Sequence, residues 1–227
     1  MKILAVDTAL GACSACVLDG EIVRAHAFER MERGHAESLA PMVRDTMKAA
    51  GLEFAVLDRL AVTTGPGTFT GQRVGYAFMR GLRLALKRPL VGITTLEAIA
   101  AAALEETAAA AVAVLHDARR DEVYFALVSK GGIVLPVGLA SFDAAVSAIR
   151  DAMAQMPAGS LAFAGTAGRK AAETCRADGH SVLISQTQQP DALFVARLSR
   201  VLPEPEEVPP PLYLRPPDAK LPAGSGS

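Results

Sequence analysis

The stretch GPGTFTG at residues 65–71 constrains the fold of this chain more than any other segment, because it separates an apolar run from a helical pattern. The apolar run, Leu60-Ala61-Val62, is typical of the end of a buried strand, and the helical pattern extends from Gln72 to Lys87. The segment therefore predicts a strand, a tight turn and a helix in succession, which is the repeating pattern of α/β proteins.

The glycine-rich turn itself has two interpretations. Gly65 and Gly67 permit backbone angles that other residues avoid, and Thr68 or Thr70 can cap the following helix. A turn of this kind at a helix N-terminus presents amide groups to an anion, so it could cradle a phosphate. It could equally be a tight turn without a ligand, because its spacing matches neither the Rossmann fingerprint nor the Walker loop.

Composition narrows the class of protein. The 227 residues are 51% hydrophobic with a net charge of −1, which suits a packed cytosolic protein and gives no reason to expect avid direct binding to nucleic acid. Asp7 interrupts the N-terminal apolar run, so this run does not have the form of a signal peptide. The longest apolar run, at 108–115, is too short to span a bilayer. We expect a cytoplasmic protein without a membrane anchor.

Cys13 and Cys16 have the CxxC spacing of some zinc and redox sites. They fall in an apolar run at 12–18 that predicts a strand, in which side chains three residues apart point to opposite faces. The two thiols therefore cannot hold one metal ion, and we predict that both are buried apolar side chains.

Periodicity predicts two lobes with mixed β-sheets flanked by helices, the first at 1–107, the second at 108–202, and a proline-rich extended tail at 203–227. The first lobe follows the order β-β-β-α-β-α-β-α. Its local signals are a hairpin turn at Asp19-Gly20 and a capping box formed by Thr94 and Glu97. In the second lobe the predicted strands are 112–115, 122–128, 133–137, 161–164 and 182–184, and the predicted helices are 142–153, 168–177 and 191–202.

Two helices carry more apolar surface than a single core requires. The helix at 72–87 has an apolar arc of about 220°, whereas packing on one core takes little more than about 100°. It is therefore either sandwiched within its own domain or offers a second face to a partner. The remaining arc collects a basic stripe, which we define as Arg73, Arg80, Arg83 and Lys87 around Tyr76. The stripe could meet carboxylates or phosphates, or it could simply be solvated.

A helix at about 35–50, closed by Gly51, shows a milder version of the same excess. Pro41 within it implies that this helix starts late or is kinked. Glycines four residues apart in the second helix would let another backbone approach closely. We predict a protein–protein interface on the two helices, with ordinary packing between the lobes as the alternative. The predicted interface consists of Leu39, Met42, Thr46, Gly71, Gly75, Tyr76, Met79, Arg80 and Arg83.

Six segments together resemble the TsaB (YeaZ) family, a bacterial family that acts in making threonylcarbamoyladenosine in tRNA. They are ILAVDTALGACSACVLDG at 3–20, GHAESLAPMV at 34–43, TGPGTFTGQRVGYAFMRGLRLAL at 64–86, GITTLEAIA at 92–100, DARRDEVY at 117–124 and PLYLRPPDAK at 211–220. The resemblance implies two lobes of the actin-like, Hsp70 and sugar-kinase type, which ancestrally closed around ATP. It also implies pairing through the two helices, as a homodimer or as a heterodimer with the catalytic paralogue TsaD.

The same resemblance implies where a nucleotide would lie. Asp7 and Thr8 occupy the place of the first phosphate-contacting turn, and Gly65, Gly67 and Thr68 belong to a loop that is a signature of the family. The turn at 7–12 has one glycine and no lysine, so we expect at most weak or vestigial nucleotide binding and no required cofactor.

The sequence nominates no catalytic residue and no metal ligand. The catalytic paralogue binds a metal through an HxxxH pair, but here Leu39 stands four residues after His35. We therefore expect His35 to be a surface or capping residue. A metallopeptidase would need ligands and a general base, and no HExxH, paired histidines or GxSxG is found. If the chain were instead a kinase or ATPase of the same fold, His116-Asp117 could supply an acidic group from the second lobe.

These expectations favour a non-catalytic subunit that pairs with TsaD. The resemblance implies that TsaD, with this chain bound, transfers threonylcarbamoyl from threonylcarbamoyl-AMP to the tRNA adenosine beside the anticodon. It also implies that the ATPase TsaE participates in the cycle and that the tRNA is contacted through the complex. The alternatives are a nucleotide-binding or ATPase protein of the same fold and a glycoprotease-type metallopeptidase. A homodimer of the free chain is left open.

Overall fold

The computed structural model describes residues 1–157 and 159–215, which form two five-stranded mixed sheets with helices packed on their faces. In the first half the elements are β1 (Lys2–Asp7), β2 (Ala12–Asp19), β3 (Ile22–Arg30), α1 (His35–Ala50), β4 (Arg59–Gly65), α2 (Phe69–Leu86), β5 (Leu90–Thr94) and α3 (Thr95–Thr107). In the second half they are β6 (Ala111–Asp117), β7 (Glu122–Ser129), β8 (Gly132–Ser141), α4 (Phe142–Ala154), β9 (Leu161–Ala164), α5 (Gly168–Ala177), β10 (Val182–Ile184) and α6 (Ala192–Val201).

The two sheets repeat one topology. The first has the order β3-β2-β1-β4-β5 and the second β10-β9-β6-β7-β8. In each, three consecutive strands pair antiparallel, a later strand pairs parallel with the first of the three, and a further strand pairs parallel with that later strand. The mixed sheets and flanking helices of the predicted α/β class are confirmed, and the repeated topology is that of two related lobes.

Local signals in the sequence account for several element boundaries. Gly20 adopts a φ of +63° in the β2–β3 hairpin, as the Asp-Gly pair predicts. Thr94 and Glu97 form the predicted capping box, with the Glu97 amide donating to Thr94 Oγ1 at 3.2 Å. The helix α1 begins at His35 and includes Pro41, so it does not start late.

The two cysteines of the CxxC spacing lie on opposite faces of β2, as predicted. Cys13 belongs to the core between the first sheet and α1, and Cys16 to the core on the other face of that sheet. Burial raises the pKa of each thiol to about 12. Both are therefore inert apolar side chains.

The packing of α6 corrects its predicted assignment to the second lobe. Ala192 and Val195 pack with Ile3 and Cys16 against the first sheet. In turn, Ile99 of α3 packs against apolar side chains of the second sheet. Since periodicity shows that a helix has an apolar face but not which sheet covers it, the sequence could not reveal this exchange. The two lobes are joined by shared cores.

The tail returns across the first lobe. The guanidinium of Arg59 donates to the carbonyl of Leu202 at 2.8 Å, Val208 packs against the core beside α1, and the amide of Leu212 donates to the Thr64 carbonyl at 2.7 Å. The predicted extended tail is therefore held against the protein as far as Arg215, and the predicted segment 216–227 lies outside the described residues. Among the described helices, none is both long and apolar enough to cross a bilayer.

Candidate functional site

The glycine-rich loop packs against the turn between β1 and β2. A side chain at Gly67 would place its Cβ 2.2 Å from the carbonyl oxygen of Ala9, so only glycine fits there. The amide of Thr68 donates to the same carbonyl at 2.8 Å. Thr68 is also the N-cap of α2 and accepts from the Gly71 amide at 3.1 Å, as predicted. Helix α2 consequently begins at Phe69, three residues before its predicted start.

Thr8 ties the β1–β2 turn to the first turns of α2. Its hydroxyl donates to the Gly71 carbonyl at 2.6 Å and accepts from the Gly75 amide at 2.9 Å. A Cβ at Gly71 would lie 2.2 Å from the Thr8 carbonyl oxygen, and one at Gly75 would lie 2.6 Å from Thr8 Oγ1. The two glycines do admit another backbone, as predicted, but that backbone is the chain's own turn. Their assignment to a partner interface is corrected accordingly.

Asp7 is fully buried beside this turn. Its Oδ1 accepts from Thr63 Oγ1 at 2.6 Å and from the Ala9 amide at 3.1 Å, whereas its Oδ2 has no hydrogen-bond partner among the described residues. Burial outweighs these bonds and raises the pKa of Asp7 to about 7. Because the side chains of Asp7 and Thr8 are both buried, neither is accessible to a ligand in this conformation.

A cleft of about 530 Å³ lies between the two lobes. The glycine-rich loop forms one wall, and the turn after β6 forms another, where Asp117 Oδ1 accepts from the Arg119 amide at 2.8 Å. Of the residues predicted to contact a nucleotide, Gly67 and Thr68 line the cleft, and Gly65, Asp7 and Thr8 do not. His116, in the neighbouring strand, is buried, and burial lowers the pKa of its imidazole to about 4.

The mouth of the cleft carries a cluster that the sequence did not reveal. Phe69 and Tyr213 are 46% and 43% exposed, and their ring centroids lie 6.0 Å apart. The guanidinium of Arg73 lies 3.5 Å from the centre of the Phe69 ring, and its Nε donates to Tyr213 Oη at 3.3 Å. The signal for this cluster is non-local, because 140 residues separate Arg73 from Tyr213.

The expectation of a surface or capping position for His35 is wrong. His35 is buried, and its Nε2 lies 3.0 Å from the carbonyl oxygen of Leu10. The side chain therefore links the start of α1 to the β1–β2 turn. Within residues 1–157 and 159–215, no cluster of three or more His, Cys, Asp and Glu side chains could hold a metal ion.

The predicted interface residues divide into two sets. Leu39, Thr46 and Met79 are buried, and Leu39 and Met79 lie in the chain's own core. The prediction that Met79 is accessible to a partner is wrong, because this side chain packs between α2 and the first sheet. Four of the predicted residues keep exposed or half-buried side chains that a partner could contact: Met42, Tyr76, Arg80 and Arg83.

The outward face of α2 carries an apolar strip, which we define as Ala77, Gly81, Leu84 and Ala85. All four are exposed, and Leu84 is exposed by 71%. Their spacing places them on one side of the helix, away from Gly75 and Met79. The wide apolar arc is thus explained by two opposite faces, one packed on the sheet and one open to solvent.

Comparison with known proteins agrees with this architecture. The model of the family "TsaD: tRNA N6-adenosine threonylcarbamoyltransferase" matches residues 28–204. The chain is 40% identical over 126 residues to the tRNA threonylcarbamoyladenosine biosynthesis protein TsaB of Escherichia coli strain K12, covering 56% of this chain and 54% of that protein. The match thus spans about half the length of that relative.

Among solved structures, the chain is similar to an uncharacterized Pseudomonas aeruginosa protein described as similar to the peptidase YeaZ. The identity is 30%, the TM-score is 0.77, and the superposition covers 94% of this chain and 99% of that one. Component A of (R)-2-hydroxyglutaryl-CoA dehydratase from Acidaminococcus fermentans shares the fold alone, at 11% identity and a TM-score of 0.52 over 86% of this chain and 96% of that one.

Proposed function

The chain belongs to the tRNA N6-adenosine threonylcarbamoyltransferase family and is of its TsaB (YeaZ) type, and from this membership we propose that it is an accessory, non-catalytic subunit in the synthesis of threonylcarbamoyladenosine in tRNA. In this role it forms a heterodimer with a TsaD paralogue. TsaD transfers threonylcarbamoyl from threonylcarbamoyl-AMP to the adenosine beside the anticodon, and the ATPase TsaE participates in the cycle. The complex, rather than this chain alone, contacts the tRNA, and it works in the cytoplasm.

The apolar strip on α2 is the observation that carries the partner role. Glycine inside a helix costs about 1 kcal/mol relative to alanine, so a helix retains it where something requires the space. Gly71 and Gly75 are required by the chain's own β1–β2 turn, but a Cβ at Gly81 would meet no atom within 4 Å. We infer that the backbone of a partner helix approaches at Gly81, flanked by Ala77 and Ala85.

The contacts around the β1–β2 turn support the non-catalytic part of the proposal. The hydroxyl of Thr8 is committed to α2, and the imidazole of His35 is committed to the Leu10 carbonyl. Asp7 lies beneath the turn, out of reach of a ligand. Groups that could handle a phosphate or a metal in a related fold are here used to hold the fold together.

We propose that this role requires no cofactor bound to the chain itself. Nucleotide binding in the interlobe cleft would rest on Gly67, Thr68 and the turn at Asp117, without the side chains of Asp7 and Thr8. We therefore expect any affinity for ATP or ADP to be weak. Equilibrium dialysis of the purified chain against labelled ATP and ADP measures this directly.

The test of the function is mass spectrometry of nucleosides from bulk tRNA of cells depleted of this protein. We expect threonylcarbamoyladenosine to disappear and to return on expression of the unchanged chain. The variant Ala77→Glu, which places a charge on the apolar strip, should fail to restore it. The matched control Ala144→Glu changes an exposed alanine in the first turn of α4, in the second lobe, and should restore it. Unchanged modification on depletion would contradict the proposal.

A further inference from the structure

The C-terminal strap, which we define as residues 203–213, runs along the basic stripe of α2 in the opposite direction. Near the start of α2, Arg73 donates to Tyr213 Oη at 3.3 Å. One turn further, Tyr76 Oη donates to the Pro209 carbonyl at 2.6 Å. At the end of the helix, the strap carries glutamates opposite the last cations of the stripe. The strap therefore contacts the stripe at Arg73 and Tyr76 and places its glutamates beside Arg83 and Lys87, while the side chains of the stripe remain exposed or half-buried.

A groove of about 480 Å³ brings the opposite charges together. Its walls include three cations, Arg83, Lys87 and Arg88, and three carboxylates, Glu204, Glu206 and Glu207. Within the described part of the chain no ion pair at 4.0 Å or less joins the two sets. The two sets of opposite charge thus face one groove without direct ion pairs between them.

Anchors on both sides hold the acidic segment in this place. Before it, the Arg59 guanidinium fixes the carbonyl of Leu202, and after it, Val208 packs in the core and the Pro209 carbonyl accepts from Tyr76. Between these anchors all three glutamates remain exposed. The segment is therefore fixed at its ends and free of contacts that would commit its carboxylates elsewhere.

The aromatic cluster at the other end of the stripe indicates what the stripe would bind. Phe69 and Tyr213 expose their rings beside the guanidinium of Arg73, and Arg80 lies 5.7 Å from the ring centre of Tyr76. Exposed aromatic rings next to cations fit single-stranded RNA, because unstacked bases stack on the rings while phosphates meet the cations. An acidic protein would use the cations but has no need of the rings.

We propose that the C-terminal strap is an internal competitor for RNA, in which the carboxylates of Glu204, Glu206 and Glu207 take the place of phosphates beside Arg83 and Lys87, at the C-terminal end of the basic stripe. Displacement of the acidic segment exposes a surface that binds unpaired RNA. The identity of that RNA as tRNA rests on the proposed function, whereas the competition does not. The device lets the free chain avoid RNA and bind it once the acidic segment at 204–207 has moved, while Tyr213 stays beside Phe69 and Arg73.

The experiment compares the full chain with the triple variant Glu204→Gln, Glu206→Gln, Glu207→Gln. Binding of a fluorescently labelled tRNA transcript is followed by anisotropy over a range of salt concentrations. Each phosphate newly contacted makes the slope of log K against log salt steeper by about 0.7–0.9, so we expect a slope steeper by about 2 and a gain in affinity that falls about fourfold for each doubling of the salt concentration. Adding Arg83→Gln and Lys87→Gln to the triple variant should return the affinity to that of the unchanged chain.

The control variant Glu32→Gln, Asp151→Asn, Glu173→Gln removes the same charge from exposed positions away from α2. An equal gain in this control, no gain in the strap variant, or a gain that survives Arg83→Gln and Lys87→Gln would each overturn the proposal. Tighter binding to polyglutamate without tighter binding to RNA would overturn it in favour of an acidic protein. Nucleoside mass spectrometry separates the two claims, because it tests the function without reference to the strap.

Discussion

The hydroxyl of Thr8 lies 2.9 Å from the amide nitrogen of Gly75. Any residue other than glycine at position 75 would push its Cβ against this hydroxyl and displace it. This contact fixes the start of α2 against the β1–β2 turn. The turn is thus filled from within by the start of α2. The outward face of α2 is left open as a result of the same packing.

Gly75→Ala should destabilise the protein by about 1–3 kcal/mol, because its Cβ would lie 2.6 Å from Thr8 Oγ1 in a well-packed region. The matched control is Gly81→Ala on the same helix, where a Cβ meets nothing within 4 Å. That change should stabilise the free chain by up to about 1 kcal/mol, since alanine is the better helix former. Urea unfolding followed by circular dichroism gives both values. Equal effects of the two substitutions would contradict the packing described for Gly75.

Asp7 should make the protein less stable as pH rises from about 4 to about 7. Its pKa is raised from 3.8 to about 7 by burial, so over this range the folded state retains a proton that the unfolded chain releases. The full effect is at most on the order of 4 kcal/mol. Asp7→Asn should remove this dependence, because the amide oxygen can still accept from Thr63 and Ala9. The measurement is the free energy of unfolding at several pH values, and an unchanged profile in Asp7→Asn would contradict it.

His116 should make the protein more stable as pH rises from about 4 to about 6.5, which is opposite to the effect of Asp7. Burial lowers the pKa of its imidazole from 6.5 to about 4, so as pH falls through this range the unfolded chain takes up a proton that the folded state excludes. Stability contributed by the neutral imidazole is present above pH 6.5 and is lost on acidification. His116→Gln should therefore expose the slope due to Asp7, and Asp7→Asn the slope due to His116. If both variants keep the profile of the unchanged protein, neither group titrates as the burial indicates.

Local signals in the sequence predicted much of this fold. The bounds of α1, the hairpin at Gly20 and the capping box at Thr94 each depend on residues within a few positions of one another, so a single sequence contains the information. The helical periodicity of α2 also predicted an apolar arc too wide for packing on one core. It did not show which face meets the sheet, and for that reason Met79 was predicted on the partner side although it lies in the core.

The parts of the site that sequence could not predict depend on residues far apart in the chain. The contact of Tyr76 with Pro209 joins positions separated by 133 residues, and the packing of α6 on the first sheet joins the two ends of the chain. The burial of Asp7 is likewise a property of the loop that covers it. Composition and spacing carry no record of these contacts, which close the β1–β2 turn and hold the C-terminal strap against the basic stripe.

Pairing with the TsaD paralogue should depend on the apolar strip rather than on Met79. Ala77→Glu would bury an unpaired charge at the contact, and Gly81→Leu would hold the partner backbone away, so each should weaken pairing by about tenfold or more. Because both positions are exposed, neither variant should unfold the free chain. Isothermal titration calorimetry with the paralogue from the same organism gives the affinity, and Ala144→Glu serves as the control for an added charge. Met79→Glu, by contrast, should abolish folding, since it places the charge in the core. Full affinity in both Ala77→Glu and Gly81→Leu would show that the partner docks on a different face of the molecule.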